Sequence, residues 1–142
     1  MKLYFAGPLF TSAERAWNDE LATALRDRGH EVFLPQDQEQ GKDASSIFST
    51  DVGGIDWADA LVAVMDGPDP DSGTAWECGY AYGKKPILLV RTDLRAQTGS
   101  GAPYNPMLTE SATIRLELPY APLARVVDEV LASIRRLESA SR

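Results

Sequence analysis

The residues with the clearest capacity for chemistry lie in one stretch, residues 71–81, where a polar turn leads into a predicted helix. Glu77 lies near the start of that helix, and Gly73 gives the backbone the freedom to turn into it. Because the N-terminal end of a helix carries a partial positive charge, it favours the ionised form of a glutamate. We therefore interpret Glu77 as a candidate nucleophile rather than a proton donor.

The same glutamate also has a purely structural interpretation. Thr74 and Glu77 are spaced as in a capping box, in which the glutamate side chain accepts a hydrogen bond from a free backbone N–H at the start of the helix. In that arrangement Glu77 would stabilise the helix and take no part in a reaction. The local pattern fits both interpretations, so the rest of the chain has to decide between them.

Carboxylates are the other reactive groups in this part of the chain. Two carboxyl groups a short distance apart can carry out a retaining glycosyl transfer, in which one attacks the sugar carbon and the other handles the proton of the leaving group. A solvated acidic rim is the competing explanation, and it suits Asp66 and Asp69, while Asp59 fits a cap or turn. The acidic residues crowded into this region are Asp51, Asp56, Asp59, Asp66, Asp69, Asp71 and Glu77.

Several familiar catalytic sites are absent from the sequence. The chain lacks the phosphate-binding pattern G-x-x-x-x-G-K-[ST], the dinucleotide pattern G-x-G-x-x-G after its first strand and the G-x-S-x-G nucleophile elbow. It has one cysteine and one histidine, which excludes an internal disulfide, a cysteine cluster for zinc and a multi-histidine site. We therefore expect neither a bound metal nor a cofactor.

Size and charge restrict the class of partner. A chain of 142 residues predicts a single domain spanning residues 1–142. Its 14 lysines and arginines against 21 acidic residues give a formal charge of -7, which argues against binding a nucleic-acid backbone or an anionic membrane. A small neutral substrate is easier to reconcile with this charge. With no membrane-spanning segment and no signal peptide in the sequence, we expect a cytoplasmic protein.

Short apolar runs alternate with helical patterns along the chain. The polar residues 36–46 predict a long loop, and residues 91–103 are irregular as well. Predicted strands cover residues 3–6, 31–34, 60–65, 86–90 and 114–118. Predicted helices begin at the capping box of Thr11 and Glu14, near Ile47, after Gly73, near Pro106 and before Leu123.

This alternation predicts a doubly wound, flavodoxin-like α/β fold with a five-stranded parallel sheet and helices on both faces. In such sheets, ligands bind beyond the carboxyl ends of the strands. The loops after the first four strands should therefore face one crevice, with Glu77 just inside the helix that follows the third strand. These loops are residues 7–10, 36–40, 67–72 and 91–104.

Four segments of the chain together resemble the nucleoside 2-deoxyribosyltransferase family. They are residues 4–10 (YFAGPLF), Asp51, residues 71–81 (DSGTAWECGYA) and residues 105–107 (NPM). They occur in the order of the family, at compatible spacings, and cover most of the chain. The resemblance implies a transferase that exchanges the base of a 2'-deoxyribonucleoside for a free nucleobase. The reaction passes through a covalent deoxyribosyl ester.

The resemblance also implies a role for each matching residue. Glu77 matches the catalytic glutamate that attacks the anomeric carbon, and Tyr4 matches the tyrosine that orients it. Asp71 resembles the aspartate that contacts the sugar hydroxyl. Asp51 resembles the one that meets the base and moves its proton. The overall mechanism implied is a retaining double displacement.

The remaining matches concern substrate binding. Asn105 and Met107 match residues that reach the 5'-hydroxyl from a neighbouring subunit, which implies a homo-oligomer with shared active sites. Gly7 and Phe10 lie in the first loop, where Phe10 would provide an apolar wall. The family reads the base with a glutamine in the loop after the second strand, and by its offset in that loop we assign this role to Gln38.

Two rival interpretations stay open. A related hydrolase would cleave the N-glycosidic bond of nucleoside 5'-monophosphates and must hold a phosphate. Pro8 lacks an N–H donor and Asn105 stands where a phosphate-binding group would be expected, whereas Thr11, Ser12 and Arg15 keep the hydrolase open. The second rival is a non-catalytic nucleotide-sensing module on the same sheet, because a fold does not determine a function.

Overall fold

One parallel sheet organises the chain in the computed structural model, which describes residues 1–95 and 103–140. The spatial order of the strands is β2-β1-β3-β4-β5, and every pair of neighbours is parallel. This confirms the flavodoxin-like order that the sequence predicts. Strands β1 to β5 are Lys2–Ala6, Glu31–Phe33, Ala60–Val64, Ile87–Arg91 and Ile114–Glu117.

Helices cover both faces of this sheet. A one-turn 3-10 helix, Pro35–Asp37, follows β2. None of the helices in the described ranges is long and apolar enough to span a bilayer. Helices α1 to α5 are Ser12–Asp27, Ala44–Trp57, Ser72–Ala81, Pro106–Thr109 and Leu123–Ala140.

The alternation of side chains along β1 separates two apolar cores. Leu3 and Phe5 pack into the core that contains residues of α1 and α5. Tyr4 and Ala6 point to the opposite face and pack into the core that contains residues of α2 and α3. Because successive side chains of a strand point to opposite faces, the position of Tyr4 in β1 alone determines that its hydroxyl faces α3.

Helix α2 is longer than the sequence predicts. It begins at Ala44 rather than Ile47, because the carboxylate of Asp43 accepts a hydrogen bond from the backbone N–H of Ser46 at 2.8 Å and caps the helix. The helix continues through Gly54 despite the low helix propensity of glycine. A Cβ atom at Gly54 would lie 2.8 Å from the ring of Phe33, so glycine allows α2 to pack directly against β2.

The irregular segment expected at residues 91–103 is partly outside the described residues. Arg91 is the last residue of β4 rather than part of a loop. Residues 96–102 lie outside the part of the chain that the structure describes.

Candidate active site

A hydrogen bond between Tyr4 and Glu77 forms the centre of the site. The hydroxyl of Tyr4 donates to Oε1 of Glu77 over 2.5 Å, joining residues 73 positions apart in the chain. Tyr4 is completely buried, and its ring stacks on Phe33 with a centroid distance of 5.3 Å. Because the tyrosine ring is fixed by its packing, its hydroxyl holds the glutamate carboxylate in one orientation.

The start of α3 excludes the structural interpretation of Glu77. Asp71 is the N-cap, and its Oδ2 accepts hydrogen bonds from the backbone N–H of Thr74 at 2.9 Å and from its hydroxyl at 3.0 Å. The helix begins at Ser72, so Glu77 lies in the second turn and not in the first. The capping-box interpretation of Thr74 and Glu77 is therefore wrong, since Asp71 occupies the cap position.

Burial controls the protonation of Glu77. Loss of solvent raises the pKa of Glu77 from 4.5 to about 7, although the hydrogen bond from Tyr4 acts in the opposite direction and lowers this pKa. The charges of Asp51 and Asp71 raise it further. Burial thus acts against the ionised form of Glu77 that the helix dipole is expected to favour. Near neutral pH this carboxyl group exists in both protonation states.

Asp51 is a second carboxyl group with a raised pKa. It lies on α2, and burial, followed by the charge of Glu39, raises its pKa to about 6, while Lys42 opposes the shift. Its Oδ1 atom is buried and has no hydrogen-bond partner among the residues described. A buried acceptor of this kind is available to a ligand, and a group that titrates near pH 6 can carry a proton to or from it.

The carboxyl groups meet in a small cavity of about 150 Å³ at the carboxyl end of the sheet. Tyr4 stands behind Glu77 through its hydrogen bond. The structure thus brings together most of the residues that the sequence singles out. Those that line the cavity are Gly7, Phe10, Asp51, Asp71 and Glu77.

An apolar groove of about 520 Å³ adjoins this cavity between α2 and α3, and Asp51 and Glu77 line both. Trp76 is part of its wall, and its ring lies 5.4 Å from the rings of both Phe48 and Tyr80. Trp76 and Phe48 remain 48% and 57% exposed. The carboxyl groups of Asp51 and Glu77 therefore stand between the small cavity and an open apolar surface.

The loop after β2 presents a different residue from the one expected. Gln38 is exposed and does not line the cavity, and the side chain of Gln36 is held between the backbone carbonyl of Arg15 at 2.9 Å and the amide of Asn18 at 3.1 Å. Glu39 lines the cavity instead. Sequence reasoning missed Glu39 because it considered only the glutamines of this loop.

Asn105 and Met107 lie away from the cavity of their own chain. Oδ1 of Asn105 accepts a hydrogen bond from the backbone N–H of Met107 at 2.9 Å and caps α4. The side chain of Met107 is 80% exposed. A role of these residues in the site of a neighbouring subunit stays a prediction.

A flavodoxin-like fold with buried, hydrogen-bonded carboxyl groups at its ligand-binding edge is the architecture of enzymes of the deoxyribosyltransferase and N-glycosidase kind. The family model for nucleoside 2-deoxyribosyltransferases matches residues 3–107. The chain belongs to this family.

Solved structures share the fold over almost the whole chain. A 2-deoxyribosyltransferase from Bacillus psychrosaccharolyticus is 29% identical, with a TM-score of 0.69, over 89% of this chain and 90% of its own. A conserved protein from Enterococcus faecalis V583 is 26% identical, with a TM-score of 0.75, over 94% and 98%. A CMP N-glycosidase from Clostridium botulinum, 16% identical with a TM-score of 0.68 over 94% and 99%, shares the fold. No curated protein matches the chain by sequence.

Proposed function

We propose that the protein exchanges the base of 2'-deoxyribonucleosides by a retaining double displacement, with Glu77 as nucleophile. The observation that carries the proposal is the hydrogen bond from Tyr4 to Glu77, at the edge of a cavity that Asp51 also lines. This arrangement supplies an oriented nucleophile and a separate proton carrier, which are the two groups that a retaining glycosyl transfer needs.

The proposed reaction has two steps of the same kind. A carboxylate oxygen of Glu77 bonds to C1' while the bond from C1' to the base nitrogen breaks. The electron pair stays on the base, which takes a proton from Asp51. A second base then attacks C1', the ester bond to Glu77 breaks, and the proton of the incoming nitrogen goes to Asp51. Both steps pass through an oxocarbenium-like transition state, which a missing 2'-hydroxyl makes easier to reach.

Asp71 and the apolar groove have supporting roles in this proposal. The capping bonds of Asp71 both use Oδ2, which leaves Oδ1 to accept a hydrogen bond from a sugar hydroxyl. Trp76 and Phe10 would cover the ester and keep water away from it, since transfer rather than hydrolysis requires a dry intermediate. We further propose that a second protomer supplies Asn105 and Met107 and so completes this cover.

Hydrolysis of nucleoside 5'-monophosphates is the competing function, and the site favours neutral nucleosides over it. The hydroxyl of Thr11 accepts the bond that caps α1, from Glu14, and a guanidinium N–H of Arg15 donates to the carbonyl of Gln36 at 3.4 Å. Both groups therefore already have intramolecular partners. The four acidic residues that line the cavity, Glu39, Asp51, Asp71 and Glu77, would also repel a phosphate.

One assay separates transferase, hydrolase and non-catalytic module. A transferase incubated with deoxyinosine and adenine should produce deoxyadenosine, which liquid chromatography detects. A hydrolase would instead release a sugar phosphate from a nucleoside monophosphate, and a non-catalytic module would do neither. Glu77→Ala should abolish exchange and retain the far-ultraviolet circular dichroism of the wild type. Glu20→Ala, on the exposed side of α1, is the matched control. Retained turnover in Glu77→Ala would remove the nucleophile assignment.

Mass spectrometry provides a second readout of the intermediate. With a deoxynucleoside donor and no acceptor base, the wild-type chain should gain the mass of one deoxyribosyl group on the peptide that contains Glu77. A label on another residue would contradict the mechanism even if exchange occurs.

A further inference from the structure

The carboxylate of Glu39 holds a defined place in the cavity wall. It follows the one-turn helix after β2, where the backbone N–H of Gln38 donates to the carbonyl of Pro35 at 2.8 Å. The carbonyl of Glu39 itself accepts from the backbone N–H of Lys42 at 3.1 Å. Its backbone is thus tied on both sides, and its side chain lines the same cavity as Glu77.

This carboxylate makes no hydrogen bond or ion pair with residues 1–95 or 103–140. The nearby cation, Lys42, donates from Nζ to the hydroxyl of Thr50 at 3.0 Å. Burial is the main cause of the raised pKa values of Asp51 and Glu77, and the charge of Glu39 adds to both. An unpaired acid beside two others is unfavourable, so a ligand that donates a hydrogen bond to Glu39 would relieve that repulsion.

We propose that Glu39 selects nucleobases that carry an exocyclic amino group, such as adenine and cytosine, over their keto counterparts, hypoxanthine and uracil. This inference rests on the proposed base exchange. An ionised carboxylate accepts hydrogen bonds and donates none. The amino group of adenine or cytosine is a donor, whereas hypoxanthine and uracil present a carbonyl oxygen, an acceptor, at the equivalent position. Where Glu39 faces this exocyclic position, it therefore accepts a hydrogen bond from the first pair and meets a second acceptor in the other pair, whose donor is the adjacent ring N–H.

The position of Glu39 beside Asp51 agrees with a role in contacting the base. Asp51 and Glu39 line the same cavity, and the charge of Glu39 acts on Asp51. In the proposed mechanism Asp51 gives its proton to the base, so the bound base lies against Asp51 and its substituents reach the part of the cavity wall that Glu39 forms. Among the acidic residues that line the cavity, Glu39 neither caps a helix nor takes part in the proposed bond formation or proton transfer.

The variant Glu39→Gln tests the proposal, because an amide can donate as well as accept and is nearly the same size. The measured quantity is the ratio of kcat/KM for adenine to that for hypoxanthine, with one common deoxynucleoside donor, and likewise for cytosine and uracil. We expect both ratios to exceed one in the wild type and to fall on the order of tenfold in Glu39→Gln, as befits one charge-assisted hydrogen bond. Glu20→Gln, which removes the same charge from exposed α1, should leave both ratios unchanged.

Two outcomes would overturn the inference. Wild-type ratios below one would show that Glu39 does not favour amino bases. Equal changes in kcat/KM for all bases would reduce its role to general electrostatics of the site, because only a contact with the base alters the ratio.

Equilibrium binding separates this inference from the proposed function. Calorimetric titration with free adenine and free hypoxanthine requires no turnover. If the wild type exchanges no bases, the proposed function fails. A preference for adenine that Glu39→Gln removes would still support the contact, whereas equal affinities for the two bases would exclude it.

Discussion

Replacing Glu77 with glutamine should abolish exchange and, at the same time, stabilise the protein at neutral and alkaline pH. The amide is nearly isosteric, and its oxygen can still accept the hydrogen bond that Tyr4 donates to Oε1. The variant therefore removes a buried charge without leaving a cavity. Few substitutions in a protein core stabilise it, which makes the direction of the expected effect informative.

The magnitude follows from the raised pKa. Well below pH 4.5 the carboxyl group is protonated in both the folded and the unfolded state, so it contributes no pH dependence to the free energy of unfolding. Between pH 4.5 and about 7 it ionises first in the unfolded chain, so the free energy of unfolding of the wild type falls as the pH rises. Above that range the loss is complete and amounts to about 3 kcal/mol. Glutamine does not titrate, so the variant escapes this loss.

Urea unfolding followed by tryptophan fluorescence measures the difference. The stability advantage of Glu77→Gln over the wild type should be larger at pH 8 than at pH 5 by about 2 kcal/mol. Glu20→Gln on exposed α1 should show no such dependence. Parallel stability curves for wild type and Glu77→Gln would refute the claim that burial, rather than the helix dipole, governs this carboxyl group.

Two further predictions concern Tyr4 and the neighbouring subunit. Tyr4→Phe removes the hydrogen bond that lowers the pKa of Glu77, so the acidic limb of the pH profile of kcat/KM should move to higher pH. We expect kcat/KM to fall on the order of tenfold near neutral pH and by less at alkaline pH. An equal fall in kcat/KM at every pH would contradict this prediction. If Asn105→Ala impairs base exchange, this variant can be mixed with Glu77→Ala under conditions in which subunits exchange between oligomers. For sites shared across a dimer, about half of the dimers are then mixed and each has one intact site, so about a quarter of the wild-type activity should return. No recovery despite confirmed mixed oligomers would place Asn105 outside the partner's site.

The sheet could be predicted from the sequence because parallel strands covered on both faces read as short apolar runs. The role of Glu77 could not be decided from local spacing. Thr74 and Glu77 fit a capping box by spacing alone, but the chain starts the helix earlier, at the cap of Asp71. The partner that holds Glu77 is Tyr4, 73 positions away, and only the packing of β1 against α3 brings them together.

The loop after β2 illustrates a different limit. Three glutamines and one glutamate lie within a short irregular segment, residues 36–40, and no periodicity indicates which of them faces the crevice. Gln36 turns inward because Asn18, almost fully buried on α1, donates to its Oε1. That contact fixes the start of the segment, while Gln38 stays exposed and Glu39 lines the cavity. Side-chain direction in such a loop depends on tertiary contacts that spacing does not encode.

The raised pKa values of Glu77 and Asp51 bear on the proposed catalysis. In the proposed mechanism, attack needs Glu77 ionised and departure of the base needs Asp51 protonated, whereas burial raises the pKa of both groups. In the free protein the two carboxyl groups therefore share protons near neutral pH, and the reactive combination is one of several protonation states. A base whose nitrogen accepts a hydrogen bond from Asp51 favours the proton on that residue and leaves Glu77 ionised. Substrate binding itself would thus select the reactive protonation state, and the remaining negative charge of the cavity would stabilise the cationic sugar of the transition state.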